Sequence, residues 1–211
     1  MKTLRLSSSS GLVACALAVC LLGEVRAQAV APVAAPSADI LRIRKVTELG
    51  RDMFQRAPSM GNRSPKQKDW GVIDVTFDSA PEWIDEMTIT FTVMLQNKKA
   101  KQGEPVFSLL TLTSEYRDIA QGRERKAGVV ILPVAMERHG LPIGIGVQVF
   151  RDGELIAESG VGAESLSSQE RWWANPRVTD SPNVRKRDGY LTERSKSPFA
   201  LVDIDSYEAS R

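Results

Sequence analysis

Residues 87–96 read Met-Thr-Ile-Thr-Phe-Thr-Val-Met-Leu-Gln, and this stretch decides the fold class. Its odd positions are all large and apolar, whereas threonines occupy three of its even positions. A two-residue period places alternate side chains on opposite faces of an extended chain, and β-branched and aromatic residues favour strands. The stretch therefore predicts a strand that buries one face in a core.

The same period recurs on both sides of this strand. Residues 70–77 and 106–116 alternate in the same way, and residues 127–136 are almost wholly apolar. Residues 40–54 are compatible with a helix, but arginines alternate with apolar residues at their start, so a strand is favoured. Each of these stretches is predicted to form a strand.

Turn signals separate the predicted strands. Residues 78–81 and 122–126 are interpreted as turns, and residues 98–103 as a charged loop. Asp152-Gly153 lies between two apolar runs, a pattern that predicts a tight hairpin. Pro133 cannot donate a backbone hydrogen bond, so it predicts an edge position or a bulge in its strand.

About seven short strands without regular strand–helix alternation predict an all-β fold. The architecture that fits best is an antiparallel β-sandwich, and a barrel is the alternative. Residues 167–173 predict a short helix with a serine cap, and residues 175–197 are interpreted as a long surface loop near the C-terminus.

The first 27 residues predict a signal peptide. Lys2 and Arg5 precede an apolar run at residues 11–23, and small residues follow where signal peptidase cleaves. A lipid anchor at Cys15 is disfavoured because the apolar run continues past that cysteine. The protein is therefore expected to be exported.

Three segments follow from this interpretation: residues 1–27 as the signal peptide, 28–39 as an Ala/Pro-rich linker and 40–211 as the β-sandwich domain. No later segment has the length of a membrane helix, so no transmembrane helix is expected in the mature chain.

The charge balance of the mature chain argues against bulk electrostatic binding. The full sequence has 28 Lys and Arg and 26 Asp and Glu. Cleavage removes three of the former and one of the latter, which leaves 25 of each. No nucleic acid is expected as a partner. Cleavage also removes both cysteines, which excludes disulfides and thiol catalysis in the mature chain.

Residues suited to catalysis are scarce. His139 is the only histidine, and residues 162–166 fail the Gly-x-Ser-x-Gly pattern at the last position. A turn histidine exposed to solvent is a better interpretation than a general base, and one histidine without cysteine makes a zinc site improbable. We therefore predict no catalytic, cofactor-binding or metal-binding residues, and no enzyme.

Three other patterns have simple structural interpretations. The acidic residues at 78–86 favour a solvated turn over a calcium loop, because no spaced motif with a glycine pivot is present. Asp203 and Asp205 suit a solvent-facing edge better than a catalytic carboxylate pair. The glycines between 140 and 146 suit turns and close strand packing better than a nucleotide loop.

Basic loops and one tryptophan pair are the remaining candidates for a binding surface. Clustered cations bind anionic glycans, although charged loops also serve solubility and edge protection. Tryptophan rings stack on sugars, although they also plug the open end of a sandwich. The candidate ligand or partner surface comprises Lys98, Lys99, Lys101, Arg185, Lys186, Arg187, Trp172 and Trp173.

Two stretches carry a resemblance to a known family. Residues 70–95 (WGVIDVTFDSAPEWIDEMTITFTVML) and 196–208 (KSPFALVDIDSYE) resemble the pilus-like exported proteins of Verrucomicrobia, encoded beside type IV pilus-like machinery in mucin-degrading Akkermansia. The resemblance covers most of residues 40–208. It implies an immunoglobulin-like β-sandwich comparable to archaeal pilus subunits and a role at the cell envelope, and it provides no catalytic residues. Unlike a pilin, this chain loses its apolar segment on cleavage, so polymerisation like a pilin does not follow.

These observations together predict a non-enzymatic exported cell-envelope protein in the periplasm, the outer membrane or at the cell surface. It would be a pilus-associated structural or adhesive component that acts through protein–protein contacts. The alternative is a carbohydrate-binding module that recognises host mucin glycans. Other envelope or pilus-like proteins, a second copy of the chain and host glycans are the partners to expect, without a cofactor.

Overall fold

Two very long strands organise the protein. The computed structural model describes residues 40–58, 68–167 and 171–210. The strands are β1 (Leu41–Val46), β2 (Phe54–Arg56), β3 (Asp69–Gln96), β4 (Phe107–Ile131), β5 (Leu141–Arg151), β6 (Glu154–Gly162), β7 (Val184–Arg187) and β8 (Leu191–Glu193). The helices are α1 (Pro133–His139), α2 (Glu164–Ser167) and α3 (Pro176–Thr179).

All eight strands belong to one sheet. β3 and β4 pair along most of their length, and the central order is β6-β5-β3-β4-β7. β1 and β2 pair with the first part of β3, β5 pairs with its last part, and β8 pairs with the end of β4. The β4–β7 pair is parallel, so the sheet is mixed rather than purely antiparallel as the sequence predicted.

The sheet has two halves that share the β3–β4 hairpin and enclose one core. The first half of β3 contributes Ile73, Val75 and Phe77 to this core, and the second half contributes Phe91 and Val93. β1 also lies against β6, although these strands are not paired. The all-β prediction is confirmed, and the layering is sandwich-like although one continuous sheet provides both layers.

The two-residue alternation of apolar side chains at residues 87–96 matches the side chains that are buried in that segment. Met87, Ile89, Phe91, Val93 and Leu95 are all at most 1% exposed. Burying each such side chain stabilises the fold by roughly 1.5–3 kcal/mol. The alternation at 70–77 is confirmed in the same way.

The C-terminal third of the chain covers the outer faces of both halves. Met94 and Leu109 face outward and are buried beneath Leu166 and Trp172. On the other half, Val72 and Val130 are buried beneath Phe199, and Trp70 contacts Phe199 edge to face with ring centroids 6.2 Å apart. Each half therefore carries a small apolar cluster outside the main core.

Two turn predictions and the predicted strand position of Pro133 were wrong. Residues 78–81 and 122–126 remain in β3 and β4, where register shifts and the positive φ of Glu124 (57°) mark bulges that bend the strands without ending them. Pro133 occupies the first turn of α1, where its missing N–H has no helical partner to lose. The Asp152-Gly153 hairpin is confirmed between β5 and β6.

The C-terminal segment is more structured than predicted. The helix expected at residues 167–173 is instead α2 followed, after the undescribed residues 168–170, by a 3-10 turn at Trp172–Ala174. The loop expected at residues 175–197 contains α3, β7 and β8. These elements are short and polar, so their sequences carry little periodic signal.

The predicted signal peptide at 1–27 and the linker at 28–39 lie outside the described residues. The described residues all belong to one compact unit, Ala34–Arg211. Within them, no helix is both long enough and apolar enough to cross a membrane.

Candidate functional site: charged patches and a tryptophan pair

The tryptophan pair lies on glycines of β5 and β6. A Cβ added to Gly144 would lie 2.6 Å from Trp172 Cζ2, and one on Gly160 would lie 2.4 Å from Trp173 Cζ3. Real Cβ atoms do not approach other atoms this closely, so glycine is required for the rings to lie flat on the strands. This confirms the interpretation of Gly144 as a close-packing glycine.

The two tryptophans have different access to solvent. Trp172 is 2% exposed and donates from Nε1 to the carbonyl oxygen of Val161 at 3.4 Å, so it lies beneath the surface. Trp173 is half-buried and meets Trp172 edge to face, with ring centroids 5.9 Å apart. Of the pair, Trp173 is the ring that a ligand could reach.

Glu158 holds Trp173 in place. Its carboxylate accepts hydrogen bonds from Trp173 Nε1 at 3.3 Å and Gln148 Nε2 at 3.5 Å, and it pairs with Arg171 Nε at 2.6 Å. A carboxylate with three partners fixes the ring orientation. No sequence pattern indicates a role for Glu158, because its partners come from β5 and from the turn after α2.

The predicted basic residues come together at one end of the sheet. Lys98, Lys99 and Lys101 lie in the loop between β3 and β4, and β7 pairs with the start of β4 directly after that loop. We call this group the basic patch, and its members are Lys98, Lys99, Lys101, Arg185, Lys186 and Arg187.

Most of the basic patch is free to meet a partner. Every member except the half-buried Arg187 is exposed. Lys186 pairs with Asp180 at 2.7 Å, at a surface position where an ion pair contributes little. Positive charge therefore dominates this end of the sheet.

His139 lies beside the basic patch but lacks the setting of a general base. It ends α1 and is half-buried, so its placement in an exposed turn was wrong. Its ring contacts Tyr190 edge to face at 4.9 Å. Burial, and then the charges of Arg187 and Arg138, lower the pKa of His139. The imidazole is therefore neutral at pH 7 and adds no charge to the patch.

A second charged surface was missed by the sequence analysis. Register places the acidic residues of β3 beside those of β4 and of the β5–β6 hairpin. All of them are exposed. We call this group the acidic patch, and its members are Glu82, Asp85, Glu86, Glu115, Asp118, Asp152 and Glu154.

Two arginines neutralise only part of the acidic patch. Arg117 lies 3.3 Å from Glu86 and 3.7 Å from Glu115, and Arg151 lies 3.6 Å from Asp152. The other four acids form no ion pair with described residues. In the sequence, only the run of acidic residues at 78–86 indicates this patch. We interpreted that run as a turn, but it lies in β3.

The remaining carboxylate candidates do not form a site. Asp203 has a positive φ of 49° and Asp205 lies in the 3-10 turn Ile204–Ser206, so they share no strand face. In the part of the chain that the structure describes, no three His, Cys, Asp or Glu residues are grouped to hold a metal ion.

The protein is an all-β domain. One half of its sheet carries the basic patch at one end and the acidic patch at the other. A protein-family model matches residues 44–211. The chain belongs to the family that this model describes.

One solved structure extends the comparison of folds. The chain is similar to a crystal structure of a protein from Akkermansia muciniphila, with a TM-score of 0.62 and 19% identity over 81% of this chain and 94% of that chain. At this identity the likeness concerns the fold. No curated protein matches the sequence.

Proposed function

We propose that the protein is an exported, non-enzymatic component of the cell envelope, with a structural or adhesive role associated with a pilus-like assembly. It would act through protein–protein contacts. The observation that carries this proposal is the pair of opposite charged patches on one half of the sheet. Ten positions of β3 separate Glu86 from the end of the strand at Gln96, which at about 3.3 Å per residue is roughly 33 Å.

Opposite charges at two ends of one molecule favour head-to-tail contacts. The basic patch of one copy is complementary to the acidic patch of the next, and such heterologous contacts form open chains unless the rotation closes a ring. Electrostatic complementarity of this kind guides encounter and orientation. The same patches would also suit envelope proteins of complementary charge.

The edge strand β7 supports this mode of contact. β7 pairs with β4 on one side, and no described strand pairs with its other side. Its outer N–H and C=O groups are therefore open to a strand from a partner, which is a common form of protein recognition. An acidic partner strand would pair with the side chains of Arg185 and Lys186.

The proposed self-association is testable by charge reversal. We expect the exported chain to associate at low salt and to dissociate at about 0.5 M salt, where the Debye length is only a few ångströms. Lys98→Glu/Lys99→Glu/Lys101→Glu should abolish association, as measured by light scattering after size-exclusion chromatography. Adding Glu82→Lys/Asp85→Lys/Glu86→Lys to the same chain should restore it.

The matched control reverses three exposed cations elsewhere, with Arg51→Glu/Arg56→Glu/Lys68→Glu. This control should associate like the wild type. A wild-type chain that stays monomeric at low salt, without a cross-linked partner in envelope extracts, would refute the proposal. Immunogold labelling of intact and permeabilised cells then distinguishes the cell surface from the periplasm.

A carbohydrate-binding module for host mucin glycans is the second candidate. Beside Trp173, the outer face of β3 and β4 carries a flat group of threonine hydroxyls, in which Thr92 lies opposite Thr111 and Thr90 opposite Thr113. Thr90 and Thr113 hydrogen-bond through their Oγ1 atoms at 3.0 Å. Flat polar surfaces beside an indole ring suit sugars.

A glycan array tests this candidate. Thr111→Val and Thr113→Val remove hydroxyls at constant volume and should weaken binding, whereas Thr192→Val in β8 should not. A blank array of mucin glycans would exclude this function and leave the first proposal intact.

A further inference from the structure

A cavity lies between β4 and the C-terminal segment. Its volume is about 300 Å3, which is at the small end of ligand sites. Tyr116 and Gly128 of β4 form one wall, and Arg194 and residues 200–210 form the others. None of these residues belongs to the surfaces considered above.

Arg194 is a buried cation at this cavity. It is 7% exposed, and its Nη2 donates to the carbonyl oxygen of Val202 at 3.1 Å. Its guanidinium lies 4.0 Å from the ring centroid of Tyr207 and 5.8 Å from that of Phe199. It forms no ion pair with a described carboxylate. Burying a charge without a pair is costly, so an anionic acceptor beside the guanidinium would stabilise it.

Each neighbouring carboxylate has one partner, although Oδ1 of Asp74 is buried without one. Asp74 accepts a hydrogen bond from the Tyr207 hydroxyl at 2.9 Å. Glu193 pairs with Lys196 at 2.8 Å, and Glu208 pairs with Arg125 at 2.8 Å. Lys126 adds a further cation 5.6 Å from the Tyr207 ring. With Asp203, whose charge also acts on Tyr207, the surroundings of Arg194 hold four cations and four anions.

Tyr116 provides a second polar group that lacks a partner. It is 1% exposed, and its hydroxyl lies close to the backbone of Gly128 and the side chain of Ser114 but makes no hydrogen bond of normal geometry with the described residues. Buried hydroxyls are almost always satisfied, by protein, water or ligand. Burial raises the pKa of Tyr116, so the hydroxyl keeps its proton at pH 7 and can donate it.

The rest of the cavity wall is mixed: Ser195, Glu208 and Ser210 are polar, and the other residues offer apolar surface. Leu201 is 75% exposed and Ile204 58% exposed, unusual values for large aliphatic residues. The other apolar lining residues are Ala200, Val202 and Ala209. The cavity therefore has donors at its inner end and hydrocarbon at its mouth.

We propose that this cavity binds a small organic carboxylate with a short hydrocarbon chain. The carboxylate would pair with Arg194 and accept a hydrogen bond from Tyr116, because guanidinium and carboxylate match in charge and shape. The hydrocarbon would cover Leu201 and Ile204. The combination favours a carboxylate over a bare phosphate or sulfate, which would leave the apolar wall in water. This inference does not depend on the proposed assembly role.

Sodium octanoate is the probe, titrated into the exported chain and followed by amide chemical shifts. We expect saturable shifts at Gly128, Ser195 and Ser210, which line the cavity. Octanol lacks the charge and acetate lacks the chain, so both should bind at least about tenfold more weakly.

Two substitutions test the roles of the polar groups. Tyr116→Phe keeps the buried ring and should weaken octanoate about tenfold, the usual effect of a hydrogen bond to a charged group. The matched control Tyr190→Phe, at a tyrosine outside the cavity, should leave affinity unchanged. Arg194→Gln should abolish binding, with its amide spectrum confirming the fold.

Three results would overturn the proposal. The first is the absence of saturable shifts at the three cavity amides. The second is octanol or acetate binding as tightly as octanoate. The third is an equal loss of affinity in Tyr116→Phe and Tyr190→Phe.

Discussion

Gly146 of β5 lies directly beneath Trp173: a Cβ added to Gly146 would lie 2.4 Å from Trp173 Cγ and 2.5 Å from its Cβ. The indole therefore rests on bare backbone, and Glu158 holds its Nε1 from the side. This contact attaches the turn after α2 to the outer face of the sheet. The segment that begins there goes on to form α3 and β7, which carries half of the basic patch.

Gly146→Ala should destabilise the protein by about 1–3 kcal/mol, because the added methyl group must displace Trp173 or the strand. Urea unfolding followed by tryptophan fluorescence measures the loss. Gly50→Ala is the control, since Gly50 has an extended backbone and nothing within 4 Å of its built Cβ. Equal stability of the two variants would contradict the contact.

Phe91→Ala should cost about 3–5 kcal/mol, because the ring is fully buried in the main core and its loss leaves a cavity. Thr113→Ala, on the outer face of the same pair of strands, should cost less than about 1 kcal/mol. Calorimetric melting of both variants tests the assignment of the two faces. A larger loss in Thr113→Ala would mean that the faces are reversed.

Gly153→Ala should destabilise the β5–β6 hairpin by about 1–2 kcal/mol, because Gly153 has a φ of 79° that alanine adopts only with strain. Asp152 also has a positive φ, 52°, but asparagine tolerates this region. Asp152→Asn should therefore leave stability nearly unchanged in urea unfolding. A Gly153→Ala variant as stable as the wild type would indicate a different turn.

Asp74→Asn should change the pH dependence of stability. Burial raises the pKa of Asp74, against the opposing effects of the Tyr207 hydrogen bond and the charges of Arg194 and Lys126. At pH values between the pKa of Asp74 in the unfolded chain and its raised pKa in the folded protein, the folded protein binds the proton more tightly than the unfolded chain does. Protonation of Asp74 therefore stabilises the fold fully at pH values below the pKa of Asp74 in the unfolded chain. This stabilisation is lost as the pH rises through the pKa of Asp74 in the folded protein.

The free energy of unfolding of the wild type minus that of Asp74→Asn should therefore fall from about pH 4 toward neutrality. Asp78→Asn is a control of opposite sign. The hydrogen bond from Arg44, followed by that from the Glu124 amide, lowers the pKa of Asp78, so its stabilising effect is lost as pH falls. A flat or rising difference for Asp74 would contradict the inferred shift.

Local signals predicted the strands well and their ends poorly. The alternation at 87–96 and the Asp152-Gly153 turn depend on neighbouring residues alone, so they could be read directly. Pro81 and Gly122 looked like breaks because both weaken an isolated strand. In the folded protein β3 and β4 continue through these positions because each strand is paired with the other.

The candidate surface was predicted in part. The sequence identified the basic residues and the tryptophans, but not that Trp172 is buried against Gly144 of β5. It identified one acidic run, but not the acids of β4 and the β5–β6 hairpin that register places beside it. No pattern in the sequence indicated the cavity beside Arg194, because Tyr116 and Arg194 are 78 positions apart.

Local sequence is sufficient to assign the side chains that face the core along each strand, since a period of two is a property of the local backbone. It is also sufficient for the charge of each segment and for the tight turn between β5 and β6. The folded arrangement was needed to show that the Lys98 loop meets β7, that the acidic residues gather at the other end, and that Arg194 and Tyr116 line one cavity. Those relationships depend on strand order and register, which are set by burial and hydrogen bonding summed over residues far apart in the chain.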